Sequence, residues 1–105
     1  MKKLVLATAV AGMLGSLALS SPALADGKIN CGGGPRSGWT NIETLKQRLI
    51  AEGWEIKKAK PTRDCYEVYG KTPEGDNVES FFHPVTLQMI LVLKRGRELF
   101  RAQGY

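Results

Sequence analysis

The chain has 105 residues, 43% of them hydrophobic and 24% charged, and 15 Lys and Arg outnumber 10 Asp and Glu for a formal charge of +5. That length allows one small domain at most. Without Lys2 and Lys3 the balance falls to 13 basic against 10 acidic groups, an excess too mild to argue for a nucleic-acid partner.

The N-terminal stretch reads as an export signal. Lys2 and Lys3 form a positive start, Leu4–Leu19 is an apolar run softened by Thr8, Gly12, Gly15 and Ser16, and Ser20-Ser21-Pro22 breaks it. Ala23-Leu24-Ala25 then supplies small residues for a signal peptidase, so the expected signal peptide is 1–25, with cleavage before Asp26. A membrane anchor fits less well, because the run falls short of the ~20 apolar residues a spanning helix needs. Export to the periplasm or the exterior follows, with membrane contact peripheral at most.

Residues 26–38 form a Gly-rich arm carrying Cys31, in which Gly32-Gly33-Gly34-Pro35 forbids regular structure and reads as a flexible tether. Cys31 and Cys65 are the only two cysteines, and an even count in a short exported chain points to a disulfide. A closed loop of ~35 residues would add about 3–4 kcal/mol on the chain-entropy model. A metal site or a reactive thiol is the rival reading. Two Cys and one His make a poor ligand set, so neither a metal nor a cofactor is expected.

Thr40-Asn41-Ile42-Glu43 has the form of a capping box with Thr40 as the cap. Ile42, Leu45 and Leu49 then recur at helical spacing, and Gly53 supplies a stop, which predicts one amphipathic helix over about 41–52. Trp54–Lys60 alternates as a strand, with Trp54 and Ile56 on one face and Glu55 and Lys57 on the other. After a polar turn at Thr62–Asp64, Tyr66 and Val68 share one face of a second strand, and Cys65, Glu67 and Tyr69 the reverse. Beyond a Pro/Gly turn at Lys71–Asp76, Val78, Ser80 and Phe82 oppose Glu79, Phe81 and His83. A register that keeps Val68, Val78 and Phe82 together is expected, since a slip of one residue would expose the core set. Gln88–Leu93 reads as a fourth strand, and 95–105 as a short helix or frayed basic tail.

The ordered set Leu45, Leu49, Gly53-Trp54-x-Ile56, Cys65-Tyr66-Glu67-Val68-Tyr69, Gly75, Val78-Glu79, Phe82, Pro84 and Thr86 resembles the PepSY domain family, in particular its small exported single-domain members. It runs from about Trp39 to Leu93, within an expected PepSY-like domain at 39–94. Two positions depart from the family pattern: Leu87 follows Thr86 where Gly is usual, and His83 stands where Asp or Asn is common. The turn they belong to is therefore expected to be wider or differently shaped. The resemblance implies an α+β fold, one amphipathic helix on a 3–4-stranded antiparallel sheet. It also implies a non-catalytic role as a modulator or inhibitor of peptidases, or as an accessory module in the cell envelope.

The residues themselves offer little catalytic chemistry. His83 is the only histidine, and a Cys65–His83 nucleophile pair would require a free thiol. Glu67 and Glu79 read as a solvated cross-strand patch rather than an acid–base dyad, with Lys57 or Lys58 nearby to neutralise them. Lys94, Arg95, Arg97 and Arg101 form a basic C-terminal patch, suited to anionic lipid or an acidic partner. One small helix cannot cover both faces of the sheet, so the reverse face, with Tyr69, Phe81, Glu67 and Glu79, is the candidate partner-binding surface. The Cys31 arm, the C-terminal segment, a second copy or a client polypeptide would cover it. No catalytic residues are assigned. The reading is a non-enzymatic exported module that binds a protein partner, a peptidase or a membrane protein, through the open face or by β-augmentation of an edge. The alternative is an accessory subunit of a membrane redox or transport protein.

Overall fold

The computed structural model describes residues 29–105. The expected signal peptide and its cleavage point lie outside them.

A five-stranded antiparallel meander forms the sheet, in the order β1 (Glu55–Pro61), β2 (Tyr66–Lys71), β3 (Asn77–Phe82), β4 (Met89–Lys94) and β5 (Arg97–Arg101). Helix α1 (Ile42–Ala51) packs on one face, so the class is α+β as expected. The strand count is five rather than three or four. What reads in sequence as a helix or frayed tail after Arg95 is β5. The reason is local: Arg95 (φ 53°) and Gly96 (φ 79°) are both left-handed and form a two-residue loop between the paired Lys94 and Arg97. This is the type I′ hairpin geometry, whose twist matches that of the strands it joins.

Helix α1 starts one residue later than the capping box implies. Its cap is Asn41, whose side chain accepts from the Glu43 amide at 2.8 Å. Thr40 is diverted to a tertiary role: its hydroxyl donates to the Val85 carbonyl (2.6 Å) and its amide to the Pro84 carbonyl (2.9 Å), which clips the helix entrance to the loop after β3. The exit is a Schellman turn. Gly53 (φ 101°) donates to Ile50 and Trp54 to Leu49, both at 3.0 Å.

The β2–β3 register places Tyr66 opposite Phe82, Val68 opposite Ser80 and Gly70 opposite Val78. Tyr66, Val68, Val78 and Phe82 therefore lie under Leu45 and Leu49, the face assignment read from the alternation. Ser80 is wholly buried in this layer, and its hydroxyl donates to the Val68 carbonyl at 2.9 Å, so its polar group is satisfied. Gly70 permits β1 to approach: a Cβ there would sit 2.3 Å from the Glu55 carbonyl oxygen.

The reverse face carries a second core of Phe81, Ile90, Leu91, Leu93 and Ala102, with Cys31, Cys65 and Ile29 packed on it. Cys31 and Cys65 form the expected disulfide. The arm is no loose tether. Gly33 is buried, and a Cβ on it would stand 2.4 Å from Pro84 Cγ and 2.9 Å from the Asp64 carbonyl oxygen. Glycine is what lets the arm lie flat against the sheet.

Candidate functional site

The residues read in sequence as a partner-binding face do share the reverse side of the sheet, but they differ in access. Phe81 is 1% exposed, packed with the stapled arm, and Glu67 is 6% exposed, so neither is open to a partner. This corrects the expectation for both: the arm and Ala102 already supply the cover that the apolar strip requires. Tyr69 and Glu79 are half-buried.

Pairing across β2 and β3 sets Tyr69 opposite Glu79 and Glu67 opposite Phe81, so the two carboxyls lie diagonally with the phenol beside them. The Tyr69 hydroxyl donates to Glu79 Oε2 at 3.1 Å. Lys60 Nζ stands 3.9 Å from Glu67, and Lys58 Nζ lies 5.8 Å from the Tyr69 ring centroid. Lys57 lines a pocket with Tyr69 and Glu79, and the register shift between Ile56 and Lys58 brings Lys58 opposite Tyr69 as well. Burial, together with a hydrogen bond to Glu67, pushes the Glu79 carboxyl up from 4.5 to about 7. The Tyr69 phenol is held well above its ordinary value by its hydrogen bond to Glu67 and by burial. These shifts come from mutual crowding of two carboxyls in a partly desolvated patch. The cluster is suited to holding a proton or meeting a cation.

The basic set is divided by its ion pairs. Lys94 binds Asp76 at 2.7 Å, and Arg101 is held by Glu98. That leaves Arg95 and Arg97 exposed. Arg95 joins Tyr69, Glu79 and Leu93 around a shallow pocket of about 300 Å3, so the structure brings together members of the two sets that sequence kept apart.

Cys65 carries no thiol for His83 to activate, because it is oxidised to Cys31. His83 is a turn residue: its Nδ1 accepts from the amides of Val85 (3.1 Å) and Thr86 (3.2 Å). Among the described residues no group of three or more His, Cys, Asp or Glu side chains converges on one point.

A second feature escaped the sequence. Beyond the end of α1, on the helix side of β4 and β5, lies a groove of about 300 Å3. Trp54 and Pro73 stand on one side, Leu99 and Phe100 on the other, with Met89 and Val92 as its floor. Leu99 and Phe100 are 47% and 43% exposed, an unusual state for two adjacent large apolar side chains. The signal was the pair itself, which sat in a segment read as tail. Both sheet edges are blunted against strand addition, β1 by Lys57, Lys58, Lys60, Pro61 and its register shift, β5 by Arg97, Arg101 and a shift beside Leu99.

Residues 6–91 match the family model PepSY_2, described as the peptidase propeptide and YPEB domain. No curated protein and no solved structure matches the chain.

Proposed function

We propose, from the premise that this chain belongs to the peptidase propeptide and YPEB domain family, that it is a non-catalytic module which binds a peptidase and restrains it outside the cytoplasm. The observation that carries this reading is the family match over residues 6–91. Two structural features support it. The disulfide and the two packed faces give a small rigid body, and rigidity lowers the entropy lost on binding. Neither edge strand invites indiscriminate pairing, so a face of the sheet is the better candidate for contact. The Lys-initiated apolar leader at 1–25 supports export, and among the described residues no helix is long and apolar enough to cross a membrane.

The test is direct. The purified protein, added in increasing amounts to envelope peptidases digesting casein, is expected to slow at least one of them in proportion to complex formed. No change in rate, with no association by calorimetry, would overturn the reading. The accessory-subunit alternative rests on the exposed Arg95 and Arg97 and requires loss of membrane association when both are replaced by Ser.

A further inference from the structure

We propose that the groove between α1 and β5 is a docking site for a peptide segment that presents a large apolar side chain next to a lysine or arginine. The partner chemistry follows from the groove's composition. The ten-residue helix has its buried positions, Leu45 and Leu49, over β2 and β3, and ends at Ala51. The sheet is five strands wide, and on the helix side Val92 of β4 is already buried in the core while Leu99 and Phe100 of β5 stay 47% and 43% exposed. Register places Phe100 opposite Val92 on that side, and the shift between Val92 and Leu93 leaves Leu99 as an extra residue at the groove wall. An indole, a proline ring, a thioether and a phenyl ring thus surround a space of about 300 Å3, the lower end of what ligand sites enclose and enough for one or two anchoring side chains. Aromatic and methionine side chains inside a polar rim are the composition of an interface centre.

Charge then selects the occupant. The polar rim consists of Glu52, Thr72, Glu74 and Asp76, and among the described residues no Lys or Arg lines the groove, although the chain as a whole is basic. Asp76 is neutralised by Lys94 at 2.7 Å, and Glu52 is only loosely met by Arg48 at 3.8 Å. Glu74 makes no ion pair among the described residues. An acidic lip over an apolar floor attracts a cation beside a hydrophobe and repels a carboxylate. The inference deepens the peptidase-binding reading by assigning it a contact surface, and rests on that reading only for the partner's identity.

Three acetylated and amidated peptides serve as probes: Gly-Lys-Phe-Leu-Lys-Gly, the same with Glu for Lys, and the same with Ser for Phe and Leu. Titrations are followed by amide chemical shifts on the full folded protein. The Lys–Phe peptide is expected to move Met89, Val92, Leu99 and Phe100 and to bind at least tenfold better than the other two, with the advantage shrinking in high salt. Glu52→Lys with Glu74→Lys is expected to reverse the preference between the Lys and Glu peptides, and Phe100→Ser to abolish binding without altering the fold. Equal binding of Lys and Glu peptides, shifts confined to other surfaces, or a dimer that buries Leu99 and Phe100 would each overturn the assignment. Peptidase restraint undiminished in Phe100→Ser would overturn the groove's part in the restraint while sparing the family reading. Peptide binding with no restraint of any peptidase would do the reverse.

Discussion

His83 performs with a ring nitrogen the task an Asp or Asn side chain performs in a turn. Nδ1 accepts from the amides two and three residues on, at 3.1 and 3.2 Å, which requires that nitrogen to be unprotonated. His83→Asn keeps an acceptor and is expected to leave the melting temperature nearly unchanged, whereas His83→Ala orphans two amides and is expected to cost about 1 kcal/mol in urea unfolding. Leu87, four residues on, takes a φ of 65° where the family pattern has Gly. The strain of a side chain in this left-handed position is offset by burying Leu87 in the helix-side core, with its carbonyl accepting from Arg48 at 2.8 Å. Arg95 has the same backbone problem without the compensation: φ is 53° and the side chain is exposed. Arg95→Asn is therefore expected to stabilise by about 0.5–1 kcal/mol, because Asn-Gly is the preferred pair for a type I′ loop. A lower urea midpoint for this variant would contradict the hairpin assignment.

The elements differ in how much their sequence gave away. In β2 and β3 strict alternation survives because their pairing has no irregularity, so Tyr66, Val68, Val78 and Phe82 could be assigned to the helix side and Glu67, Tyr69 and Phe81 to the reverse. The other three strand pairs each carry a register shift, at Ile56/Lys58, Phe81/Phe82 and Val92/Leu93. Each shift advances the two-residue period by one, so Lys58 joins Lys57 beside Tyr69, and Leu99 and Phe100 both line one groove rather than alternating. β5 was illegible for that reason, and the groove with it. The arm hid a different fact: a triple glycine looks flexible in isolation, but Gly33 is fixed by close approach to Pro84 and Asp64. Replacing Cys31 and Cys65 together by Ser removes the staple and loosens the arm over Phe81. The expected loss is about 3–4 kcal/mol of stability, with new binding of a hydrophobic dye. Gly33→Ala, with the disulfide intact, is expected to lift the arm and give part of the same dye signal.

At the scale of the whole molecule the sheet separates two cores, one under α1 and one under the disulfide arm, and the Glu67–Tyr69–Glu79 group is the polar break in the second. It makes stability depend on pH. The folded Glu79 carboxyl titrates at about 7 and its ordinary value is 4.5, so between these limits the folded chain keeps a proton that the unfolded chain releases. The contribution is fully present below about 4.5 and is lost as pH rises through 7. Glu67 and Tyr69 on β2 and Lys60 on β1 act on this carboxyl, and Lys57 and Arg95 share its pocket; burial and Glu67 oppose its charged form, while the Tyr69 hydrogen bond and Lys60 favour it. Glu98 acts with the opposite sign, since its bond to Arg101 lowers its titration and that contribution disappears in acid. The Glu79 effect is therefore read as a difference between proteins. Glu79→Gln mimics the protonated carboxyl, so wild type and variant are expected to melt together near pH 4. At pH 8 the variant is expected to be more stable by about 1 kcal/mol, a modest figure because the carboxyl still reaches water. For a domain of this size that corresponds to about 4–8 °C in melting temperature. Parallel curves for the two proteins from pH 4 to 8 would show that Glu79 is charged in the folded state throughout, and that Lys60, with Lys57 and Arg95, neutralises the pair in place of a shared proton.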